Sequence, residues 1–197
     1  MPVKIRGSFG SLLRPDNFGA ELDNHFLTKY QEAVDAGNIS SGGGSILQVV
    51  NTLTSSRSTY TSSDAGTTIT PLTTSITPSA TTSKVWVTVT MTYEAHHDVG
   101  FLLSRGTTPI GRNTASTARH SMTWVHQYDN NQSSTPITQT WTFLDSPNST
   151  SAQSYSIRVK RSSTTSHVLY LNRCFRSAGN NADEIGTSSM TLMEVAG

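Results

Sequence analysis

Lys84-Val-Trp-Val-Thr-Val-Thr-Met-Thr-Tyr93 decides the fold. Side chains alternate across an extended chain, so Val85, Val87, Val89, Met91 and Tyr93 share one face while Trp86, Thr88, Thr90 and Thr92 share the other. A helix would scatter the same apolar set around its circumference. The segment therefore predicts a half-buried β-strand with its aliphatic face toward a core.

The same period of two recurs on both sides of this segment. Ile46 to Leu53, Thr67 to Thr77, Val99 to Arg105, Arg119 to Tyr128, Ile137 to Leu144, Ser154 to Lys160, His167 to Arg173 and Thr187 to Val195 all read as short strands. Clusters of Ser, Thr, Asn, Gly and Pro separate them, as turns require. No helical pattern of any length interrupts residues 46–197, so an antiparallel all-β domain is expected rather than βαβ units. About nine strands of this kind make a sandwich or barrel.

Composition supports the same reading. The chain holds 29 Ser and 30 Thr among 197 residues, most of them after residue 50, while only 14% of residues are charged and the net charge is +1. A typical soluble domain is about 25% charged. Hydroxyls therefore supply the polar surface, and β-branched Thr suits the solvated face of a strand.

The first 45 residues differ. They carry five of the 13 carboxylates and a single Thr. Leu22, Phe26, Tyr30 and Ala33 recur at helical spacing between Gly19 and Gly37, with Glu21 and Asp23 at the end where the helix dipole favours acids. Ile39-Ser-Ser-Gly-Gly-Gly-Ser45 reads as a hinge. Residues 1–45 are thus expected to form a short N-terminal helical arm, and 46–197 the sandwich domain. So short a helix must cover its apolar stripe. Leu22, Phe26 and Tyr30 are the expected attachment residues, against a partner protein or against the chain's own sandwich.

Several function classes lose support. The 14 basic residues are scattered, so phosphate-tracking contact with nucleic acid is not expected. No stretch approaches the roughly 20 apolar residues of a membrane helix, and no apolar signal segment follows Met1. Cys174 is the sole cysteine, which rules out an intrachain disulfide and suits a protein made in a reducing cytoplasm. A buried, inert thiol is expected there.

Catalytic motifs are missing as well. There is no Gly-x-Ser-x-Gly elbow, and Gly42-Gly-Gly44 lacks the Lys-Ser/Thr of a phosphate loop. The carboxylates after residue 45 lie mostly at turns or strand ends, unlike the paired acids of a glycosidase. No enzymatic activity, cofactor or bound metal is expected. His96-His97-Asp98 is the best metal-like cluster, yet adjacent histidines on an extended chain point to opposite faces, and a polar turn explains the group more simply.

One stretch stands out. His120, Met122, Trp124, His126 and Tyr128 alternate with Arg119, Ser121, Thr123, Val125 and Gln127, and so share a single face. His120, Trp124, His126 and Tyr128 are therefore candidates for a subunit contact, an interior face or a glycan-binding surface, since Trp and Tyr join apolar area to a polar tip.

A run of short motifs carries a family resemblance. They are Gly44-Ser-Ile-Leu-Gln-Val-Val50, Ile76-Thr-Pro-Ser-Ala-Thr-Thr-Ser-Lys-Val85, Phe101-Leu-Leu-Ser-Arg-Gly106 and Phe143-Leu-Asp-Ser-Pro147. Tyr155 to Val159, Leu169-Tyr-Leu-Asn-Arg173 and Ser189-Met-Thr-Leu-Met-Glu-Val195 continue the order. Together they resemble virion surface proteins of marine and cyanobacterial bacteriophages, tail-fibre proteins among them, over residues 44–197. The resemblance implies a jelly-roll-like β-sandwich, commonly a homotrimer, on the outside of the virion. It does not fix the place on the particle; a structural component of the tail or tail fibre that contacts other virion proteins and a host-surface glycan is expected. Residues 1–43 match no motif of that group. The sequence leaves little length for the long shaft of a fibre, so a capsid decoration, cement or head-fibre role is the alternative.

Overall fold

The computed structural model describes residues 28, 29, 32, 44–95, 98–113, 120–126, 135–176 and 183–197. The chain divides into Met1–Gly43 and Gly44–Gly197. In the first unit Thr28, Lys29 and Glu32 are helical, with Lys29 Nζ 2.6 Å from Glu32 Oε2. Leu22, Phe26 and Tyr30 lie outside the described residues.

The described residues of the second unit form eleven strands. They are β1 (Ile46–Thr54), β2 (Ser58–Thr61), β3 (Thr67–Ile76), β4 (Lys84–Ala95), β5 (Val99–Arg105) and β6 (Thr108–Ile110), then β7 (Trp124–Val125), β8 (Ile137–Asp145), β9 (Gln153–Arg161), β10 (Val168–Leu171) and β11 (Ser188–Val195). One sheet runs β1-β11-β4-β10-β2, with β8 also on β4. Residues 85–90 of β4 pair with both β11 and β8, so these two strands flank it on opposite edges. The second sheet runs β3-β9-β5-β6, with β7 also on β5. Every pairing between these strands is antiparallel.

Alternation explains how the sheets stack. Val85, Val87, Val89, Met91 and Tyr93 of β4 are fully buried, and Met190, Leu192, Leu169 and Leu171 extend that face across β11 and β10. Ile69, Leu72, Phe101, Leu103, Tyr155, Ile157 and Val159 are the fully buried set of the second sheet and join the same cluster. Each such side chain contributes about 1.5–3 kcal/mol when taken from water. The result is an all-β, antiparallel, sandwich-like unit.

Buried polar groups pin strand ends between elements. Asp145, closing β8, accepts from Arg105 Nη1 and from Tyr155 Oη through one oxygen, at 2.7 Å each. Burial, with Asp145 beside it, pushes the Tyr155 phenol above its ordinary range, so it stays the donor. Asn172 takes a left-handed φ of 55° after β10 and is fully buried. Its Nδ2 donates to the carbonyls of Thr54 and Ser56, and its Oδ1 accepts from Ser188 Oγ at 2.6 Å. Asn tolerates that backbone region better than most residues.

The expected strands depart from the structure in three places. Among the described residues between Arg119 and Tyr128 only Trp124–Val125 is strand and His120–Thr123 is irregular, while both named ends lie outside the described residues. Contacts with residues distant in the chain shape this stretch. Thr123 Oγ1 donates to Ile110 O and accepts from Leu103 N, and Met122 Sδ occupies the place a side chain at Gly100 would take. The Thr123 amide still donates to Phe101 O at 2.9 Å.

Two short strands were not legible. β2 has Tyr60 as its only large apolar residue, and it forms through pairing with β10. β6 contains Pro109, which argues against a strand, yet it borders the second sheet, where a missing N–H is tolerated.

Candidate assembly surface

The outward face of the first sheet is the most distinctive surface. Register sets Leu144 beside Trp86, Trp86 beside Met193 and Met193 beside Val49, which makes one apolar row across β8, β4, β11 and β1. Leu144 is 43% exposed, Trp86 41% and Val49 57%. These positions alternate with fully buried ones on β4, which is why the sheet turns them to solvent.

The rows behind it are neutral and rich in hydroxyls. Thr142, Thr88, Thr191 and Asn51 form the next row, and Thr140, Thr90, Ser189 and Leu53 the one after. The polar atoms bond to one another within the sheet. Thr90 Oγ1 and Thr140 Oγ1 lie 2.9 Å apart, Thr92 Oγ1 and Thr138 Oγ1 2.8 Å, and Asn51 Nδ2 donates to Thr191 Oγ1 at 2.7 Å. Trp86 Nε1 donates to Thr88 Oγ1 at 3.1 Å. Covering a face on which most of the hydroxyls are already paired strips less water from unsatisfied groups, which lowers the desolvation cost.

Both ends of the face are anchored. Asp145 ties the end of β8 to β5 and β9 through Arg105 and Tyr155. Glu194 on β11 accepts from Gln48 Nε2 at 2.6 Å and from both the amide and the hydroxyl of Ser79, at 2.7 and 2.6 Å. Burial alone would raise that carboxyl, but the bonds from Ser79 and Gln48 outweigh it and hold the group at about 2. Rigid support of this kind lowers the entropy lost when the face is covered.

The residues singled out in the sequence are placed elsewhere. Trp124 is half-buried and stacks on Trp141, with centroids 5.5 Å apart and planes 16° from parallel. His126 is half-buried, its Nδ1 2.9 Å from Tyr93 Oη and its Nε2 3.2 Å from Ala95 O. His120 is exposed, and Tyr128 lies outside the described residues. Trp124 and His126 thus line the sandwich interior, and His120 is not on their face.

His96 and His97 also lie outside the described residues, and Asp98 uses its carbonyl to accept from Ser162 N at 2.7 Å. Among the described residues no group of three or more His, Cys, Asp or Glu is arranged to hold a metal. Cys174 is buried, and burial pushes its thiol up. An open cleft lined by Ser55, Arg57, Ile185, Gly186 and Thr187 contains no acid–base pair.

No known family model matches the chain, and no curated protein matches it. The apolar row itself was only half legible. Trp86 at an outward position of the clearest strand was the signal, but Leu144, Met193 and Val49 join it only through register.

Proposed function

We propose that the chain is a structural subunit of a bacteriophage virion, part of the tail or tail fibre, that works by binding copies of itself and neighbouring virion proteins. One observation carries this: a neutral sheet face with an apolar row of exposed Leu144, Trp86 and Val49 and half-buried Met193, most of its hydroxyls already paired. Exposed apolar strips rimmed by polar residues mark protein contacts, and Trp is the residue most enriched where binding energy concentrates. The ordered motifs from Gly44 to Val195 supply the virion context. In this reading the sandwich is jelly-roll-like and forms symmetric oligomers, trimers by the resemblance. The helical arm, with Leu22, Phe26 and Tyr30, attaches to another virion protein, and a host-surface glycan is the outward ligand.

Shell decoration is the second reading. It is favoured by the absence, among the described residues, of any repetitive shaft between β1 and β11. Electron microscopy with antibodies to residues 44–197 separates the two. Label confined to the tail supports the first, label spread over the head supports the second, and particles that carry no label, intact or disrupted, overturn both.

A further inference from the structure

We propose that β8 pairs edge to edge with β8 of a second copy of this chain, antiparallel and two-fold symmetric about Thr140, joining two first sheets into one. The proposal rests on the assembly reading and adds to it a two-fold contact, one that links trimers to each other rather than closing a trimer.

β8 is held by β4 along its whole length, and among the described residues no strand pairs its other edge. A long free edge presents a row of backbone donors and acceptors to any strand that approaches. Proteins guard such edges with Lys, Pro, bulges or short strands. β8 has none of these guards. It is nine residues long, its register on β4 is unbroken, and Ile137-Thr-Gln-Thr-Trp-Thr-Phe-Leu144 contains neither a charge nor a proline.

The residues of β8 select their own copy as the occupant. Ile137 and Phe143, Thr138 and Thr142, and Gln139 and Trp141 stand equidistant from Thr140. A two-fold antiparallel pair therefore sets Thr against Thr three times on the outward face, continuing the Thr90–Thr140 and Thr92–Thr138 pairs that β4 already makes with β8. On the inward face Phe143 meets Ile137 and Gln139 meets Trp141. Phe143 and Trp141 are only half-buried in one copy, so a second strand covers them further. No charges oppose each other. Asp145 falls outside the symmetric stretch and is already bound by Arg105 and Tyr155.

Sedimentation of the full chain over a concentration series tests the contact. Thr140→Lys and Thr140→Glu should each weaken association about tenfold or more, because each variant meets its own charge at the axis; an equimolar mixture should restore it. Thr73→Lys, at an exposed position of β3, should change nothing. Thr140→Cys gives a readout independent of any folding loss. Residues opposed across antiparallel strands lie about 4.5–5.5 Å apart at Cα, within disulfide reach, so mild oxidation should cross-link two copies while Thr73→Cys stays uncross-linked. Absence of both the cross-link and the mixed-charge rescue overturns the proposal. If Trp86→Glu dissolves an oligomer that the Thr140 variants leave intact, the strand contact is wrong and the assembly reading survives. A full chain that stays monomeric at every concentration overturns both.

Discussion

The indole of Trp124 lies nearly parallel to that of Trp141, 5.5 Å between centroids, and so closes the sandwich beside β8. Trp141 in turn packs on Phe101 at 4.9 Å and beside Tyr93 at 6.1 Å. Trp124 is therefore a packing residue. Trp124→Ala should destabilise the unit by about 3 kcal/mol, read as a lower urea midpoint with an unchanged slope. A variant as stable as the parent would show that the stack contributes nothing.

Trp86 should behave in the opposite way. It is 41% exposed on the outer face, and exposed substitutions usually move stability by less than about 0.5 kcal/mol. Trp86→Glu is expected to keep the thermal midpoint and weaken self-association, as measured by light scattering. An unchanged mass would remove the apolar row from the interface.

Asn172 is the sensitive polar position. Its amide joins the Thr54 and Ser56 carbonyls to Ser188, and its φ is 55°. Asn172→Ala removes the donor to the Thr54 and Ser56 carbonyls, leaves the buried Ser188 hydroxyl, which still accepts from Thr92 N, without its acceptor, and puts Ala where φ is positive. The expected loss is about 2–4 kcal/mol by denaturant unfolding, and Asn172→Gly should recover only the backbone share of it.

Acid should act through Glu194. Its carboxyl is lowered from 4.5 to about 2. A depressed folded value means that the stabilisation is complete above the unfolded value and disappears as pH falls from about 4.5 through about 2. Glu194→Gln should therefore flatten the dependence of melting temperature on pH in that window and leave it unchanged near neutrality. Parallel curves for parent and variant would refute the assignment.

Much of the fold was legible because strand period is a local property. Lys84–Tyr93, Val99–Arg105 and Ile137–Leu144 announce their buried faces within a few residues. Where the reading failed, a distant or competing interaction intervened. β2 exists through β10, about a hundred residues away, and the irregular stretch before β7 is held by side-chain bonds from Thr123 to the backbones of Ile110 and Leu103. For Trp124 the sequence left interior face, subunit contact and glycan surface open, because alternation identifies a face but not what covers it.

The sequence by itself determined an all-β chain, its main strands, the inward set on β4 and a surface made neutral by Ser and Thr, since each follows from periodicity and composition. Only the tertiary structure decided that Leu144, Trp86, Met193 and Val49 form one row, and that β8 has a single strand neighbour among the described residues. Neighbours in a sheet are chosen by hydrogen bonding and core packing between segments far apart in the chain. A one-residue slip would turn every side chain to the other face, and no local pattern of residues records which partner and register win.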